Sequence, residues 1–256
     1  NKPLTVTTDY EASPVVLQIK GQVNSKGNDD GLTTHKGSWG LKASSFNMGK
    51  VFRNDESATK EFPVMNKSDK AVRLEKVVSP GYINARVEPD VLNAGQHGTI
   101  KISYNGKLKG LYGFQSDNVE FHTDDAEMPV KSFSVYATLE DHFGKLTAEE
   151  LAAAPQLRIS DASFDLGRVR EGQRVEREIM VMNAGKKELS LRSLQPNCSC
   201  VTATASKDEL RSGESASIKI TFNSKERKGS QQKAVTVYSN DPRNPVQRIT
   251  FTVYVE

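Results

Sequence analysis

The sequence is poor in the residues from which most active sites are built. In 256 residues there are two cysteines, four histidines and one tryptophan. The histidines (His35, His97, His122 and His142) all precede the cysteines Cys198 and Cys200 by more than fifty positions, so no local metal-ligand cluster is written in the chain. A Gly-rich phosphate loop, a GxSxG elbow and an HExxH helix are all missing, and no cofactor motif takes their place. Adjacent carboxylates such as Asp124-Asp125 read as a solvated turn, and no enzyme is expected. No apolar run approaches the ~20 residues of a membrane-spanning helix. Charge of one sign is lacking too: Lys+Arg 35 against Asp+Glu 32 leaves +3, with the signs interspersed. That excludes the basic patch that nucleic-acid and lipid binders need. No signal-peptide pattern is visible, and the chain opens inside a repeat unit, as a processed or trimmed product would.

What is present is a repeat. Phe46–Asn66 reads FNMGKVFRNDESATKEFPVMN, and Phe164–Asn183 reads FDLGRVREGQRVEREIMVMN. The copies are displaced by 118 residues at Phe46/Phe164 and by 117 at Asn66/Asn183. Leu4–Val23 resembles only the last two strands of this unit. The expected organisation is a remnant at 1–23, a Gly/Asn/Asp-rich linker at 24–38, module one at 39–139, a spacer at 140–155 and module two at 156–256.

Within the modules the apolar residues alternate. Ile100, Ile102 and Tyr104 fall on one side of a strand, as do Ile218, Ile220 and Phe222. Period two over many short runs separated by turn residues predicts an all-β sandwich. Thr147 with Glu150 forms a capping box, so the spacer is expected to hold the one helix, ended by Pro155. Gly49 and Gly167 suit a kink where an edge strand crosses between sheets. Asn66 and Asn183 suit turn-capping side chains, and Asp241-Pro242 a rigid turn before the last strand. Met180 and Met182 are expected to pack against a neighbouring module, and Trp39 to anchor a core or seam.

Phe164–Val169, Val181–Gly185, Cys198–Thr202, Phe222–Lys225 with Gly229, and Ser239–Pro242 with Asn244-Pro245 together resemble the bacterial domain of unknown function 1573 family. The spacer FGKLTAEELAAAP is similar to the one between tandem copies in that family. The resemblance implies immunoglobulin-like sandwiches related in shape to PapD and sperm-protein domains. It also implies export to the periplasm or cell surface, commonly as a lipoprotein. It implies no activity. The expectation is a structural or protein-binding module of the envelope, acting through sandwich surfaces or edge strands on a protein or other envelope component. Residues 1–23, a hairpin without its own sandwich, are the expected place for self-association.

Cys198-Ser199-Cys200 is the only candidate chemistry. The family motif has Gly where Ser199 stands, which brings into question any role needing a positive φ. In an extended strand the two Cα atoms would lie ~6.5–7 Å apart, at or beyond disulfide range. The readings are packing in a half-buried strand, a redox thiol pair or disulfide in a tight bend, and soft-metal binding. Module one aligns Tyr82 and Asn84 with the two cysteines.

Overall fold

The computed structural model describes residues 2–6, 15–19, 31–54 and 57–256. Strands β1 (Lys2–Val6) and β2 (Val15–Ile19) pair antiparallel, from Lys2 opposite Ile19 to Val6 opposite Val15, as a two-stranded sheet of their own. The expected turn at 9–14 lies outside the described residues, as does the first part of the linker, residues 24–30.

Module one runs β3 (Thr34–Lys36), β4 (Trp39–Leu41), β5 (Ser45–Phe52), β6 (Ala58–Asn66), β7 (Val72–Val78), β8 (Ile83–Glu88), β9 (Val91–Leu92), β10 (His97–Tyr104), the single turn α1 (Gly106–Lys109), β11 (Gly113–Thr123) and β12 (Val130–Glu140). Two five-stranded sheets result, ordered β3-β4-β6-β10-β8 and β5-β12-β11-β7-β9. The linker is therefore shorter than the sequence implies. Leu32, its lone large apolar residue, is buried, and Thr34–Lys36 pair with Trp39–Leu41.

A capped helix, α2 (Ala148–Ala153), follows; Glu150 N donates to Thr147 Oγ1 at 3.2 Å and Thr147 N to Glu150 Oε2 at 2.8 Å. Helix α1, not anticipated, exists because Asn105 Oδ1 accepts from Leu108 N and Gly110 closes the turn at φ 72°.

Module two runs β13 (Leu157–Ile159), β14 (Ser163–Val169), β15 (Arg174–Asn183), β16 (Leu189–Pro196), β17 (Val201–Ala205), β18 (Glu209–Leu210), β19 (Ser215–Asn223), β20 (Gly229–Ser239) and β21 (Val246–Val255). Its sheets are β13-β15-β19-β17 and β14-β21-β20-β16-β18. Each module is thus a sandwich of two sheets, and the chain is all-β in immunoglobulin-like form. The alternating residues close a core between the sheets. Phe46, Phe121 and Phe133 cluster around Trp39 in module one, and Phe222 and Phe251 meet in module two. Burying such rings contributes roughly 1.5–3 kcal/mol each, so these aromatics carry much of the sandwich stability.

The chain crosses between sheets at 42–44, between β4 and β5, earlier than Gly49 suggests. Gly49 and Gly167 instead sit in bulges of β5 and β14, at φ 71° and 70°, where the parallel register against β12 and β21 slips. Asn47 Oδ1 and Asp165 Oδ1 accept the two glycine N–H groups at 2.8 and 3.0 Å.

The modules meet along a polar seam. Gln195, at the end of β16, donates to Tyr112 O at 2.7 Å and accepts from Phe114 N at 3.0 Å. Its carboxamide thereby caps the backbone entering β11. Gly113 is favoured there: it sits at φ 74°, and a Cβ would overlap the Gln195 carboxamide. The Arg53 guanidinium lies 3.9 Å over the Tyr112 ring, whose hydroxyl donates to Asp141 at 3.1 Å, and Arg192 Nε stands 3.7 Å from Asp141. Burial, with the Asp141 charge beside it, raises the Tyr112 phenol above its ordinary range. Met180 and Met182 take no part in this seam; both are exposed on β15.

Candidate functional site

Cys198 and Cys200 are not in a strand. They occupy the tight turn joining β16 to β17, where Val201 N donates to Cys198 O at 3.2 Å. The bend brings their Cα atoms to 5.3 Å, inside disulfide range, and Sγ–Sγ are bonded. Asn197 anchors the turn: its N–H donates to Ala234 O at 3.0 Å, and its Oδ1 accepts from Ala234 N at 3.1 Å. Cys200 is buried at the margin of the core, Cys198 is half-buried and Ser199 is exposed. Among the described non-glycine residues only Glu226 has a positive φ, so Ser199 meets no demand that only Gly could satisfy.

Backbone bonds correct the alignment between modules. Cys200 O accepts from Asn223 N at 2.8 Å, and Tyr82 O accepts from Asn105 N at 2.8 Å. Ile83 N donates to Pro80 O as Val201 N does to Cys198 O. Tyr82 is therefore the counterpart of Cys200, and Pro80-Gly81 forms the turn that the disulfide spans in module two. Asn84 lies beyond it on β8 and matches neither cysteine.

Around Tyr82, module one builds a polar cluster that the motifs do not announce. Asp117 accepts from Tyr82 Oη at 2.7 Å, Tyr104 Oη at 2.6 Å and Lys109 Nζ at 2.7 Å. Burial pushes the Asp117 carboxyl up, but these three donors outweigh it and hold the carboxyl below its ordinary value. The one available signal is parity: Asp117 shares the core-facing alternation of Val119 and Phe121.

The turn launches an exposed sheet edge. Among the described residues, strand β17 bonds only to β19, and no strand lies on its outer side in the sheet order. Because Cys200–Asn223 and Ser206–Ser217 are bonded positions, Thr202 and Thr204 aim their backbone groups at β19. Ala203 and Ala205 aim theirs outward. The exposed side chains of β17 are Thr202 and Thr204, neither charged nor proline. Strand β8 is the equivalent edge in module one, and it is guarded. Arg86 Nε lies 2.8 Å from Glu88, whose carboxylate also accepts Lys101 Nζ at 2.7 Å; Lys101 reaches Glu61 at 3.2 Å. Charges of this kind deter a foreign strand. On the β17 side the ion pairs lie off the strand, at Lys219–Glu176 one strand inward and at Lys207–Glu214 just past its end.

The remaining sequence-marked residues hold turns and core. Asn66 and Asn183 are fully buried and act alike. Asn183 Nδ2 donates to Lys187 O and Leu210 O at 2.8 and 2.9 Å; Asn66 Nδ2 donates to Lys70 O and Leu92 O at 2.6 and 2.8 Å. Phe46 is in the first core, and Phe164 stacks on Phe251 at 5.3 Å beside the second. Asp241 is buried, accepting from Leu157 N and Arg243 N at 3.0 and 2.9 Å, and Pro245 O accepts from Ser239 N at 2.9 Å.

Asp125 is buried rather than solvated. Lys131, with no exposed surface, donates to it at 2.7 Å and to Thr123 Oγ1 and Met128 O. Lys131 shares the core-side parity of Phe133 and Val135, so its burial was readable in the alternation. Burial raises the Asp125 carboxyl, but the Lys131 and Ser38 donors outweigh it and bring it down to about 2. For Lys131 burial wins over Asp125 and lowers the ammonium below its ordinary range. The two ends thus carry opposite signs, as a buried pair with a real desolvation cost should. Among the described residues no group of three or more His, Cys, Asp or Glu side chains could hold a metal ion, and no helix is long and apolar enough to cross a membrane.

A family model described as protein of unknown function (DUF1573) matches residues 40–135 and 157–255, one match per sandwich. Among curated proteins none matches. A crystal structure of a protein of unknown function from Porphyromonas gingivalis W83 is similar with a TM-score of 0.59 and 18% identity, over 85% of this chain and 100% of that one. Fainter likenesses include a PapD-like domain of human CEP192 (TM-score 0.34, 14% identity, 45% and 94% covered) and the Pseudomonas aeruginosa CupB2 chaperone (TM-score 0.30, 11% identity, 84% and 100% covered).

Proposed function

This chain belongs to the DUF1573 family, and we propose that it is a non-enzymatic binding module of the bacterial envelope that takes up a strand of a protein partner along β17. The observation that carries the reading is the contrast between the two equivalent edges. Strand β8 is screened by Arg86, Glu88 and Lys101, whereas β17 leaves the Ala203 and Ala205 backbone groups open behind two threonines. Strand addition supplies main-chain hydrogen bonds for affinity and alternate side-chain contacts for selection. The disulfide ties down the turn from which β17 starts, so less ordering is left to be lost on binding. The seam through Gln195 and Gly113 holds the second sandwich to the first, which keeps the edge at one orientation. Residues 1–23 belong to the same reading as a strand source. Export is supported by the disulfide, because such bonds persist in oxidising compartments.

The test is a photo-reactive side chain at Thr204 or, as control, at Arg86 in the exported protein. Protein adducts from Thr204 and few from Arg86 are expected, with the chain itself recovered in the periplasmic or surface fraction. Equal or absent adducts at both positions, or retention in the cytoplasm, would overturn the reading.

A second reading, thiol–disulfide exchange, is favoured by one observation: Cys198 is half-exposed beside the exposed Ser199. Intact mass with thiol alkylation, before and after mild reduction, decides it. Labelling at Cys198 under conditions that spare ordinary structural disulfides would support exchange; resistance would leave the bond a staple. The bond occupies both thiolates, so soft-metal binding requires reduction first.

A further inference from the structure

Resting on the strand-addition reading, we propose that the strand received by β17 is β2 (Val15–Ile19) of a second copy of this chain, so that copies join head to tail. Three observations converge. First, among the described residues β1 and β2 form a sheet with no third strand, leaving both hairpin edges without a neighbour in the sheet order. A lone two-stranded hairpin is marginal in water and gains most from an added strand. Second, the two edges of that hairpin differ. Strand β1 reads KPLTV and carries Pro3, which has no N–H to give, whereas β2 reads VVLQI with neither proline nor charge. The pairing edge is therefore β2. Third, β17 matches it in length, five residues each, and in lacking charge.

What the added strand would cover is also visible. Leu194, Cys198, Ala203 and Ala205 are the partly buried apolar residues of the second core that lie on the β16 end, the turn and β17. They mark one of two sides on which this core is incompletely closed, the other lying at Ile159, Phe164, Leu166 and Val175 on β13–β15. A strand beside β17 shields Ala203 and Ala205 while bonding their outward N–H and C=O groups.

Donor and receiver are different surfaces, so the contact is heterologous. Such contacts generate rings or open chains rather than a closed pair. One five-residue strand pairing is a small interface, so association is expected to be weak and concentration-dependent.

The experiment measures mass against concentration by light scattering or sedimentation for the full chain and two blocked variants. Ala203→Pro removes one outward donor of the receiver without touching the β19 ladder; Gln18→Pro, opposite Pro3 and therefore on the outward side of β2, blocks the donor strand. Each change is expected to weaken association about tenfold, the loss of roughly one hydrogen bond. Thr204→Lys, a guard on an exposed side chain, repeats the receiver test should Ala203→Pro unfold module two. The wild type is expected to grow beyond the dimer. At concentrations where the wild type associates, each variant alone is expected to stay monomeric, because it lacks one half of the contact. Gln18→Pro, whose receiver is intact, and Ala203→Pro, whose donor is intact, are expected to form a dimer when mixed and nothing larger.

A wild type that is monomeric at all concentrations overturns this inference. So does association that survives both receiver variants, or a mixture of the blocked copies that remains monomeric. If the wild type stays monomeric while Thr204 still cross-links to another protein, only the identity of the donor fails. If there is neither association nor cross-linking, the strand-addition reading falls with it.

Discussion

Tyr82 and Cys200 hold the same backbone position in the two sandwiches. Each carbonyl accepts a 2.8 Å bond from the residue after an inward aromatic, Asn105 following Tyr104 and Asn223 following Phe222. From that shared frame one module builds a phenol-carboxylate cluster on Asp117, and the other closes the turn covalently.

The disulfide is expected to be a small term in stability. It encloses three residues, and a loop so short removes little entropy from the unfolded chain, worth ~1.5 kcal/mol. Denaturant unfolding with and without a reductant should shift module two by about that amount and leave module one unmoved. A loss of more than about 3 kcal/mol would mean that the bond also relieves a native-state clash.

Asn183→Ala should cost far more. It orphans the buried carbonyl of Leu210 and the part-buried carbonyl of Lys187 and leaves Gly185 N without its acceptor. At roughly 1 kcal/mol or more per buried group left unpaired, the loss is about 3 kcal/mol. Asn66→Ala should match it in module one, and calorimetry resolving the two transitions checks both. An unchanged transition in either case would show that water replaces the side chain.

Module one should weaken in acid through Asp125. Its folded carboxyl sits at about 2, below the ordinary value of 3.8. A depressed folded value stabilises above the unfolded one, and the stabilisation is lost as pH falls from about 4 towards 2. A shift of this size corresponds to about 2 kcal/mol. Urea midpoints of Asp125→Asn, compared with wild type across that window, should show a flatter acid limb. Parallel limbs would assign the acid sensitivity elsewhere.

Gly113→Ala should alter how the modules sit without unfolding either. The new Cβ must displace the Gln195 carboxamide, and a non-glycine at φ 74° adds strain of roughly 1–2 kcal/mol. Gln195→Ala is the unstrained counterpart. Both should change the intermodule distance distribution between spin labels, with Gln195→Ala leaving the melting of each module within about 0.5 kcal/mol. Unchanged distances in both would place the joint in the Arg192–Asp141 and Tyr112–Tyr238 contacts instead.

Alternation made the strands legible, because a side chain two residues on must face the same way; it even put Lys131 and Asp117 on the core side. Local chemistry made the Thr147–Glu150 cap legible and half of what Asn66 and Asn183 do, since Lys70 and Lys187 lie four residues on, whereas the Leu92 and Leu210 carbonyls are 26 and 27 residues away. Repetition did the rest for domain organisation: a pattern that recurs near 118 residues must fold twice. The sequence by itself therefore determined two sandwiches and their cores.

The tertiary structure alone decided the rest. An extended Cys198–Cys200 cannot bridge, and only the turn, set by Asn197 on Ala234 from a distant strand, brings the two Cα atoms to 5.3 Å. The Gln195–Gly113 clamp joins residues 82 positions apart, with no periodicity to signal it. Which edge stays bare depends on which strands fail to pair. Bare edges, clamps and covalent turns arise from contacts between segments far apart in the chain, whereas period and capping arise within one.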